Sequence, residues 1–259
     1  FIFFVIKFLT KIGLGRGKFK KLFNFSIKKF YGFKPVDFEY LNFKFRLYPM
    51  ENSTDNKIIV SSKTIEKIEL DFLKKIKSKN IFLDIGANIG FYSINAASYG
   101  FKKIHAFEPI PKVVERLKTN IYLNNYQGII EVVPFGLGES NQNLEIRYGP
   151  YNIGEGSLIN SHPHMTNCDV VKIITLKNYL NKLKIKKVDA IKIDVEGYED
   201  KALLPYLKSI NTLSNLPNLI IIEHSSSEIW TDDIISWLFK KGYKEAYKSR
   251  SNTIMNKDT

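Results

Sequence analysis

The sequence has little cysteine and no apolar run of membrane length in its N-terminal part. Cys168 is the single cysteine of the 259 residues, so the chain has no internal disulfide and no cysteine-rich metal centre. The longest uncharged run near the start, FIFFVI, is far shorter than the ~20 apolar residues of a spanning helix. These absences exclude a disulfide-stapled scaffold, a zinc module and an N-terminal transmembrane helix, and leave a cytoplasmic location as the default expectation.

The N-terminal segment also lacks acids. Residues 1–34 contain eight lysines and one arginine, a charge of +9, so the other residues carry 13 − 9 = +4. Aromatic and aliphatic residues alternate with the lysines, which favours either peripheral contact with an anionic membrane surface or a helical extension packed on its own domain. Because the rest of the chain is only weakly basic, we expect no nucleic-acid partner.

Two regions are predicted. Residues 1–64 form the basic extension and a small hairpin, in which FEYLNFKFRLYP is a half-buried strand, MENSTDN a turn and KIIVSS a second strand. Residues 65–259 form the main domain, and it begins with a helix whose apolar residues recur at helical spacing from Ile65 to Ile76.

The main domain alternates apolar runs with amphipathic stretches. Predicted strands cover residues 81–85, 103–108, 129–134, 190–194 and 219–223. Predicted helices cover residues 90–98, 111–124, 198–208 and 231–241. Continuous Ile, Val, Leu and Phe runs separated by helices indicate a Rossmann-like α/β fold, with a parallel sheet covered on both faces. Its ligands should lie at the carboxyl ends of the strands.

Acids stand at the ends of four of these strands: Asp84, Glu108, Asp194 and Glu223. An unpaired charge is costly to bury, so we expect these carboxylates to face one crevice rather than the core.

The turn after the first core strand, FLDIGANIG, distinguishes between cofactors. A dinucleotide-binding turn needs a glycine where Asn88 stands, because backbone must approach a pyrophosphate there. The turn therefore argues against NAD and favours a nucleoside that carries an amino acid. Glu108 follows at the end of the next strand, where a carboxylate can accept hydrogen bonds from both ribose hydroxyls.

Six motifs follow one another in the order FLDIGANIGFYS, AFEP, NIYLNN, GEGSL, TLKNYL and IKIDVEGYE. In this order they resemble the FkbM-type methyltransferases, which use S-adenosylmethionine. The resemblance covers residues 60–245 and implies the class I methyltransferase fold, a seven-stranded sheet with one antiparallel strand near its edge. The segment GYKEAYKSRSNTIMN would supply the final antiparallel hairpin. Lys177 and Asn178 stand where the family often has acids, at the start of a predicted helix.

The resemblance also implies a cofactor site. Asp84 suits the cofactor's ammonium group, Glu108 its ribose, and Asn125 and Phe135 the neighbourhood of its adenine. The full set of predicted cofactor-binding residues is Asp84, Gly86, Ala87, Asn88, Gly90, Glu108, Pro109, Asn125, Phe135, Gly136 and Asp194.

The motif IKIDVEGYE carries the predicted chemistry. A hydroxyl acceptor must lose its proton, and a carboxylate at a strand tip is a natural base, so Asp194 is the first candidate and Glu196 the second. Glu223 and His224 are further catalytic candidates at the next strand tip. Asp194, Glu196 and Glu223 together form a candidate Mg²⁺ site, the alternative being that Glu223 and His224 only orient loops.

Residues 139–168 are long for a connection, and we expect them to cover the active site. Within them, HPHMTNC holds His162 and His164, too few ligands for zinc, so it is predicted to be a mobile loop. Candidate contacts to a carbohydrate acceptor are Tyr148, Tyr151, Asn152 and Ser157.

The sequence thus favours an O-methyltransferase that acts on a sugar of a surface polysaccharide, a glycolipid or a secondary metabolite. A nicotinamide-dependent oxidoreductase and a nucleic-acid methyltransferase or binding module remain the alternatives. The first would bind NAD without S-adenosylmethionine, and the second would bind RNA or DNA with a steep salt dependence.

Overall fold

The computed structural model describes residues 32–61, 64–159 and 163–257 of the chain. A seven-stranded sheet forms the centre of the main domain. Its strands are β3 (Ile81–Ile85), β4 (Lys103–Phe107), β5 (Ile130–Val133), β10 (Ala190–Ile193), β11 (Leu219–Glu223), β12 (Lys244–Lys248) and β13 (Asn252–Asn256). Their spatial order is β12-β13-β11-β10-β3-β4-β5. The predicted α/β sheet is confirmed.

The final hairpin gives the sheet its antiparallel strand. β13 pairs antiparallel with both β11 and β12, whereas the strands from β11 to β5 are all parallel. The predicted antiparallel hairpin in the segment GYKEAYKSRSNTIMN is therefore confirmed. This strand order and the single reversed strand define the class I methyltransferase fold.

Helices cover both faces of the sheet. The helices of the main domain are α2 (Lys67–Lys75), α3 (Phe91–Ser98), α4 (Pro111–Leu123), α5 (Leu176–Lys182), α6 (Glu199–Lys208) and α7 (Ile234–Lys240). One core layer packs α2, α3 and α4 on side chains such as Phe82 and Ile104. The other packs α5, α6 and α7 on side chains such as Leu83 and Ile191. In the described ranges, no helix is long and apolar enough to cross a membrane.

The segment before the main domain differs from its prediction. The stretch predicted as one strand is a whole hairpin, β1 (Val36–Tyr40) and β2 (Phe43–Leu47), because Leu41 and Asn42 both adopt positive φ and form a two-residue turn. The predicted turn MENSTDN and strand KIIVSS are wrong, since Ser53–Val60 forms a helix, α1.

Two contacts explain why α1 is helical despite its β-branched residues. The Asn52 side chain accepts a hydrogen bond from the Thr54 backbone N–H at 2.9 Å and so caps the first turn. Ile58 and Ile59 are buried in the core layer that contains α3 and α4. Capping and burial together outweigh the local preference for a strand.

The hairpin is fixed on α4 by side-chain amides. The Asn124 side chain exchanges hydrogen bonds with the Lys44 backbone, and the Asn120 side chain accepts one from the Arg46 N–H at 2.7 Å. These bonds satisfy backbone groups of β2 that have no strand partner on that side.

The long insertion belongs to a second sheet, and the prediction of a mobile loop over residues 162–168 is wrong at its end, where Asn167 and Cys168 begin a strand. Strands β6 (Gly136–Leu137), β7 (Gln142–Gly149), β8 (Asn152–Ser157) and β9 (Asn167–Ile174) pair in the order β6-β9-β7-β8. His162 lies outside the described residues, and His164 is exposed ahead of β9. The alternation of NLEIRYG is the pattern of a strand with one buried face.

Candidate active site

A cleft opens at the carboxyl ends of the parallel strands. It contains about 1010 Å³ of empty space, including the open solvent at its mouth. The predicted site residues that line it are Asp84, Gly86, Ala87, Asn88, Glu108, Pro109, Phe135, Gly136, Asp194 and Glu196. The structure therefore brings ten predicted residues together from four segments of the chain.

Four predicted residues do not line the cleft. Gly90 begins α3 with φ +89°, and a Cβ there would lie 2.7 Å from Leu117, so it is a packing position. Asn125 is an exposed residue after α4, between the carboxyl end of β4 and the amino end of β5. Because α4 runs back across the sheet, it carries Asn125 to the edge opposite the cleft. The other two, Glu223 and His224, are described below.

Asn120, which was not predicted, is the asparagine of NIYLNN that contacts the cofactor turn. It is fully buried, and its side-chain N–H₂ group donates to the Ile89 carbonyl at 3.0 Å. The signal was its position on the apolar face of α4, one turn before the exposed asparagines.

The turn from Asp84 to Gly90 needs glycine at Gly86. Gly86 has φ +78°, and a Cβ there would lie 1.8 Å from the Asp194 carbonyl oxygen. The N–H groups of Gly86 and Ala87 both donate to the Phe107 carbonyl, at 3.0 and 2.9 Å. The turn is thereby held between the tips of β4 and β10.

Glu108 is buried at the tip of β4 and is held by two backbone amides. Its two carboxylate oxygens accept hydrogen bonds from the N–H groups of Asn88 and Ile110, each at 3.0 Å. Burial raises the pKa of Glu108 to about 7, and these two bonds partly oppose the rise. Each oxygen keeps a lone pair for a hydroxyl donor in the cleft.

Asp84 and Lys192 face each other across neighbouring strands. They are register partners in the pairing of β3 with β10, and both are buried. The Asp84 carboxylate accepts a hydrogen bond from the Ser93 hydroxyl at 2.6 Å. Burial raises the pKa of Asp84, whereas the positive charge of Lys192 acts to lower it.

Lys192 is the site residue that the sequence interpretation missed. Its ammonium lies 3.0 Å from an Asp194 carboxylate oxygen and 5.3 Å from the centre of the Tyr92 ring. The carboxylates of Asp194, Asp84 and Glu66 raise the pKa of Lys192 against the effect of its burial. The lysine in the middle of the apolar run AIKID could have been predicted as a site residue, because a buried lysine needs an acidic partner.

The Asp194–Glu199 turn presents two carboxylates to the cleft. The Asp194 side chain is 35% exposed there, and Glu196 has φ +54°. Burial, followed by the negative charges of Asp194 and Glu155, raises the pKa of Glu196 to about 8. Glu199 shapes the turn, since one of its carboxylate oxygens accepts hydrogen bonds from the N–H groups of Val195 and Gly197, at 2.8 and 3.2 Å.

Glu223 and His224 lie behind the turn rather than in the cleft. One Glu223 oxygen accepts a hydrogen bond from the Ser225 N–H at 2.8 Å, and the other is buried without a hydrogen-bond partner among the described residues. A ring nitrogen of His224 lies 3.2 Å from the Thr253 hydroxyl of β13. His224 therefore points toward the edge of the sheet.

Two of the three predicted Mg²⁺ ligands, Asp194 and Glu223, come together, but with Glu199 in place of Glu196. The carboxylates whose oxygens lie within 4.8 Å of one another belong to Asp194, Glu199 and Glu223, so Glu196 is outside the group. Both Glu199 oxygens already accept N–H donors, including the Trp230 indole at 2.8 Å, and Lys192 occupies Asp194. Mg²⁺ prefers free oxygen ligands in an octahedron, and in this group the Glu223 carboxylate keeps one buried oxygen without a hydrogen-bond partner among the described residues.

The insertion contributes different residues from those predicted. Ile146, Gly154, Gly156 and Leu158 line the cleft. The Tyr148 hydroxyl instead donates to Asp169, Tyr151 stacks on Phe33, and Asn152 accepts a hydrogen bond from the Ser53 N–H. Ser157 is buried, and its hydroxyl donates to the Glu196 carbonyl at 3.2 Å. The insertion therefore covers the cleft with small and apolar residues.

A sequence model of the Methyltransferase FkbM domain matches residues 84–245, more than half of the chain. The chain belongs to the FkbM methyltransferase family. Residues 84–245 of this FkbM chain are accordingly a methyltransferase domain. The match begins at Asp84, so β1, β2, α1 and α2 lie outside it.

Two curated relatives are methyltransferases. The chain is 24% identical over 151 residues to the hexuronic acid methyltransferase AglP of Haloferax volcanii, covering 58% of each protein. It is 26% identical over 180 residues to the methyltransferase sdnD of Sordaria araneosa, covering 54% of this chain and 70% of sdnD. The chain thus spans little more than half of the length of AglP.

Solved structures with a similar backbone include an rRNA methylase from Streptococcus thermophilus, at 12% identity and a TM-score of 0.46, covering 77% of this chain and 99% of that one. A Pyrococcus abyssi tRNA (uracil-54, C5)-methyltransferase in complex with S-adenosyl-L-homocysteine has 11% identity and a TM-score of 0.45, covering 86% of this chain and 43% of that one. At these values the fold assignment rests on the strand order of the FkbM chain itself.

The cleft fits the cofactor that the family uses. S-adenosylmethionine supplies a methyl group on a sulfonium, which a nucleophile can take up. Gly86 lines the cleft and has no side chain to fill it. Glu108 has lone pairs for ribose hydroxyls, and Asp84 is a buried carboxylate suited to an ammonium.

Proposed function

We propose that the chain methylates a hydroxyl group of a sugar, in a surface polysaccharide, a glycolipid or a secondary metabolite. The observation that carries the proposal is the pair Asp194 and Glu196, two carboxylates on one turn at the tip of β10 and in the lining of the cofactor cleft. A sugar hydroxyl is a weak nucleophile until its proton is removed, and such carboxylates can remove it.

The two carboxylates have different roles in this proposal. Glu196 is the base, because a pKa of about 8 suits a group that takes a proton near neutral pH. Its carboxylate accepts the hydroxyl proton as the hydroxyl oxygen bonds to the methyl carbon and the carbon–sulfur bond breaks. Asp194, fixed by the Lys192 ammonium at 3.0 Å, accepts a hydrogen bond that orients the acceptor.

Among the relatives, AglP supports a sugar as the class of acceptor. AglP is described as a hexuronic acid methyltransferase, and it is 24% identical to this chain. Two glycines of the insertion, Gly154 and Gly156, also line the cleft, so this part of its wall has no side chains.

A transfer assay tests the function. We would incubate the protein with methyl-labelled S-adenosylmethionine and a panel of sugars, sugar nucleotides and lipid-linked glycans, with RNA as the comparison acceptor. Label in a sugar that is lost in Glu196→Gln supports the proposal. Label that appears in RNA and in no sugar would contradict it, and Glu115→Gln, which neutralises an exposed acid of α4 outside the cleft lining, is the matched control.

We also propose that residues 1–34 hold the enzyme at an anionic membrane surface, where lipid-linked acceptors are built. The support is the charge of +9 interleaved with aromatic residues. Residues 1–31 lie outside the described part of the chain. Partition into anionic liposomes that does not change when residues 1–34 are removed would contradict this attachment.

A further inference from the structure

The described part of the cleft has many acids and few cations. Its acidic lining residues are Glu66, Asp84, Glu108, Asp194 and Glu196, and its basic ones are Lys57 and Lys192. The family's cofactor carries a carboxylate as well as an ammonium and a sulfonium. A carboxylate placed among these acids is unfavourable unless a cation lies beside it. One of the two lysines must therefore be considered as its partner.

Lys192 is already engaged. Its buried ammonium lies 3.0 Å from Asp194 and is the register partner of Asp84, so two carboxylates share it. Withdrawing it would leave both carboxylates without a cation in a buried place. The Lys192 ammonium neutralises carboxylates of the protein and is therefore not the partner of the cofactor carboxylate.

Lys57 is the remaining cation. It is an exposed residue of α1, and within residues 32–61, 64–159 and 163–257 its side chain forms no ion pair. Its charge acts on Glu66, which faces the same end of the cleft as Lys192 and Asp194. Lys57 therefore lines the same cleft as Asp84, the carboxylate suited to the methionyl ammonium.

α1 is fixed on the cofactor turn. The buried Asn52 caps α1 and also donates from its side-chain N–H₂ group to the Asn88 side-chain oxygen at 2.7 Å. Gly154 of β8 closes over this pair, since a Cβ there would lie 2.4 Å from the Asn88 side-chain nitrogen. The helix that carries Lys57 therefore keeps a fixed position relative to Asn88.

We propose that α1, which precedes the matched family domain, is a cofactor-binding element and that the Lys57 ammonium pairs with the carboxylate of S-adenosylmethionine. Asn52 acts as a positioning residue that holds α1 on the turn. The inference rests on the cofactor of the family and not on the sugar acceptor. It also assigns residues before position 65 to the same functional unit as the main domain.

Calorimetry with two cofactors tests the proposal. S-adenosylmethionine and its decarboxylated analogue, which lacks only the carboxylate, are titrated into wild type, Lys57→Met, Lys57→Arg and the control Lys44→Met. Lys44 is an exposed lysine of β2, in the same N-terminal unit but away from the cleft. Removing a charge-assisted contact should weaken S-adenosylmethionine binding by about tenfold or more in Lys57→Met.

The same variant should bind the decarboxylated analogue as wild type does, within about twofold, and Lys57→Arg should retain most of the affinity. Lys44→Met should bind both compounds normally. An equal loss for both cofactors, or no loss for either, overturns the assignment of Lys57. Because no acceptor is present, failure here leaves sugar methylation to be judged by its own assay.

Discussion

Glu108 makes cofactor affinity depend on pH. Burial of the carboxyl group raises the pKa of Glu108 to about 7. Only the ionised carboxylate offers both oxygens as acceptors to the two ribose hydroxyls. Affinity should therefore fall as the solution becomes more acidic. A site that needed its carboxyl group protonated would instead bind the cofactor more tightly at acidic pH.

The size of the effect follows from the ionised fraction. With a pKa of about 7, roughly nine-tenths of Glu108 is ionised at pH 8 and roughly one-tenth at pH 6. If only the ionised form binds well, affinity falls about tenfold between these pH values, about 1.4 kcal/mol. The cofactor's own α-amino group titrates at a pKa of about 8, so wild type alone does not isolate Glu108.

A matched variant provides the comparison. Glu108→Gln keeps the size of the side chain but does not titrate, and we expect calorimetry from pH 6 to pH 8 to show a much flatter profile for it. Its affinity at pH 8 should be about tenfold or more below wild type, because a carboxylate acceptor is lost. Equal slopes for wild type and Glu108→Gln would refute the role of Glu108.

Further predictions concern the turn, the base and the metal. Methyl transfer should rise with pH through about 8 as Glu196 ionises, and Glu196→Gln should lower the rate about 100-fold with cofactor affinity unchanged. Gly86→Ala should lower the free energy of unfolding by about 3 kcal/mol in denaturant titrations, because its Cβ would meet the Asp194 carbonyl; an unchanged midpoint would contradict this geometry. Asn52→Ser keeps the helix cap but loses the bond to Asn88, so cofactor affinity should fall about fivefold with little change in thermal midpoint. Chelation by EDTA should leave the transfer rate unchanged, and a rate restored only by Mg²⁺ would show that the carboxylates rearrange around a metal.

The sheet was predictable because its strands are locally distinct. Apolar runs such as IFLDI and LIIIE are typical of strands buried on both faces, and they begin and end within about a residue of their predictions. The number of strands and the single antiparallel strand came from the resemblance, since periodicity alone does not say which strands are neighbours. The edge hairpin followed from the same source.

The N-terminal unit was not predictable in the same way. The run of β-branched residues in KIIVSS favours a strand, and only the cap at Asn52 and burial against α3 and α4 make it helical. No strand was predicted in the insertion, although NLEIRYG alternates as a strand does.

The candidate site was predictable where residues follow strand ends. Asp84, Glu108 and Asp194 come directly at these ends, and the cleft brings them together. Asn125 was placed wrongly because helix length, rather than motif order, decides which edge of the sheet a residue reaches. Lys57 and Asn52 were not predicted because no motif contains them. Asn52 reaches Asn88 through tertiary packing, and Lys57 reaches the cleft on the helix that Asn52 caps.

Calorimetric titration of the wild-type chain with S-adenosylmethionine and, separately, with NAD tests the central claim most directly. The account predicts saturable one-to-one binding of S-adenosylmethionine and no binding of NAD, because Asn88 stands where a pyrophosphate-binding turn needs glycine. Binding of NAD without S-adenosylmethionine, or of neither, would contradict the assignment of the cleft at Asp84–Gly90 as a methyl-donor site.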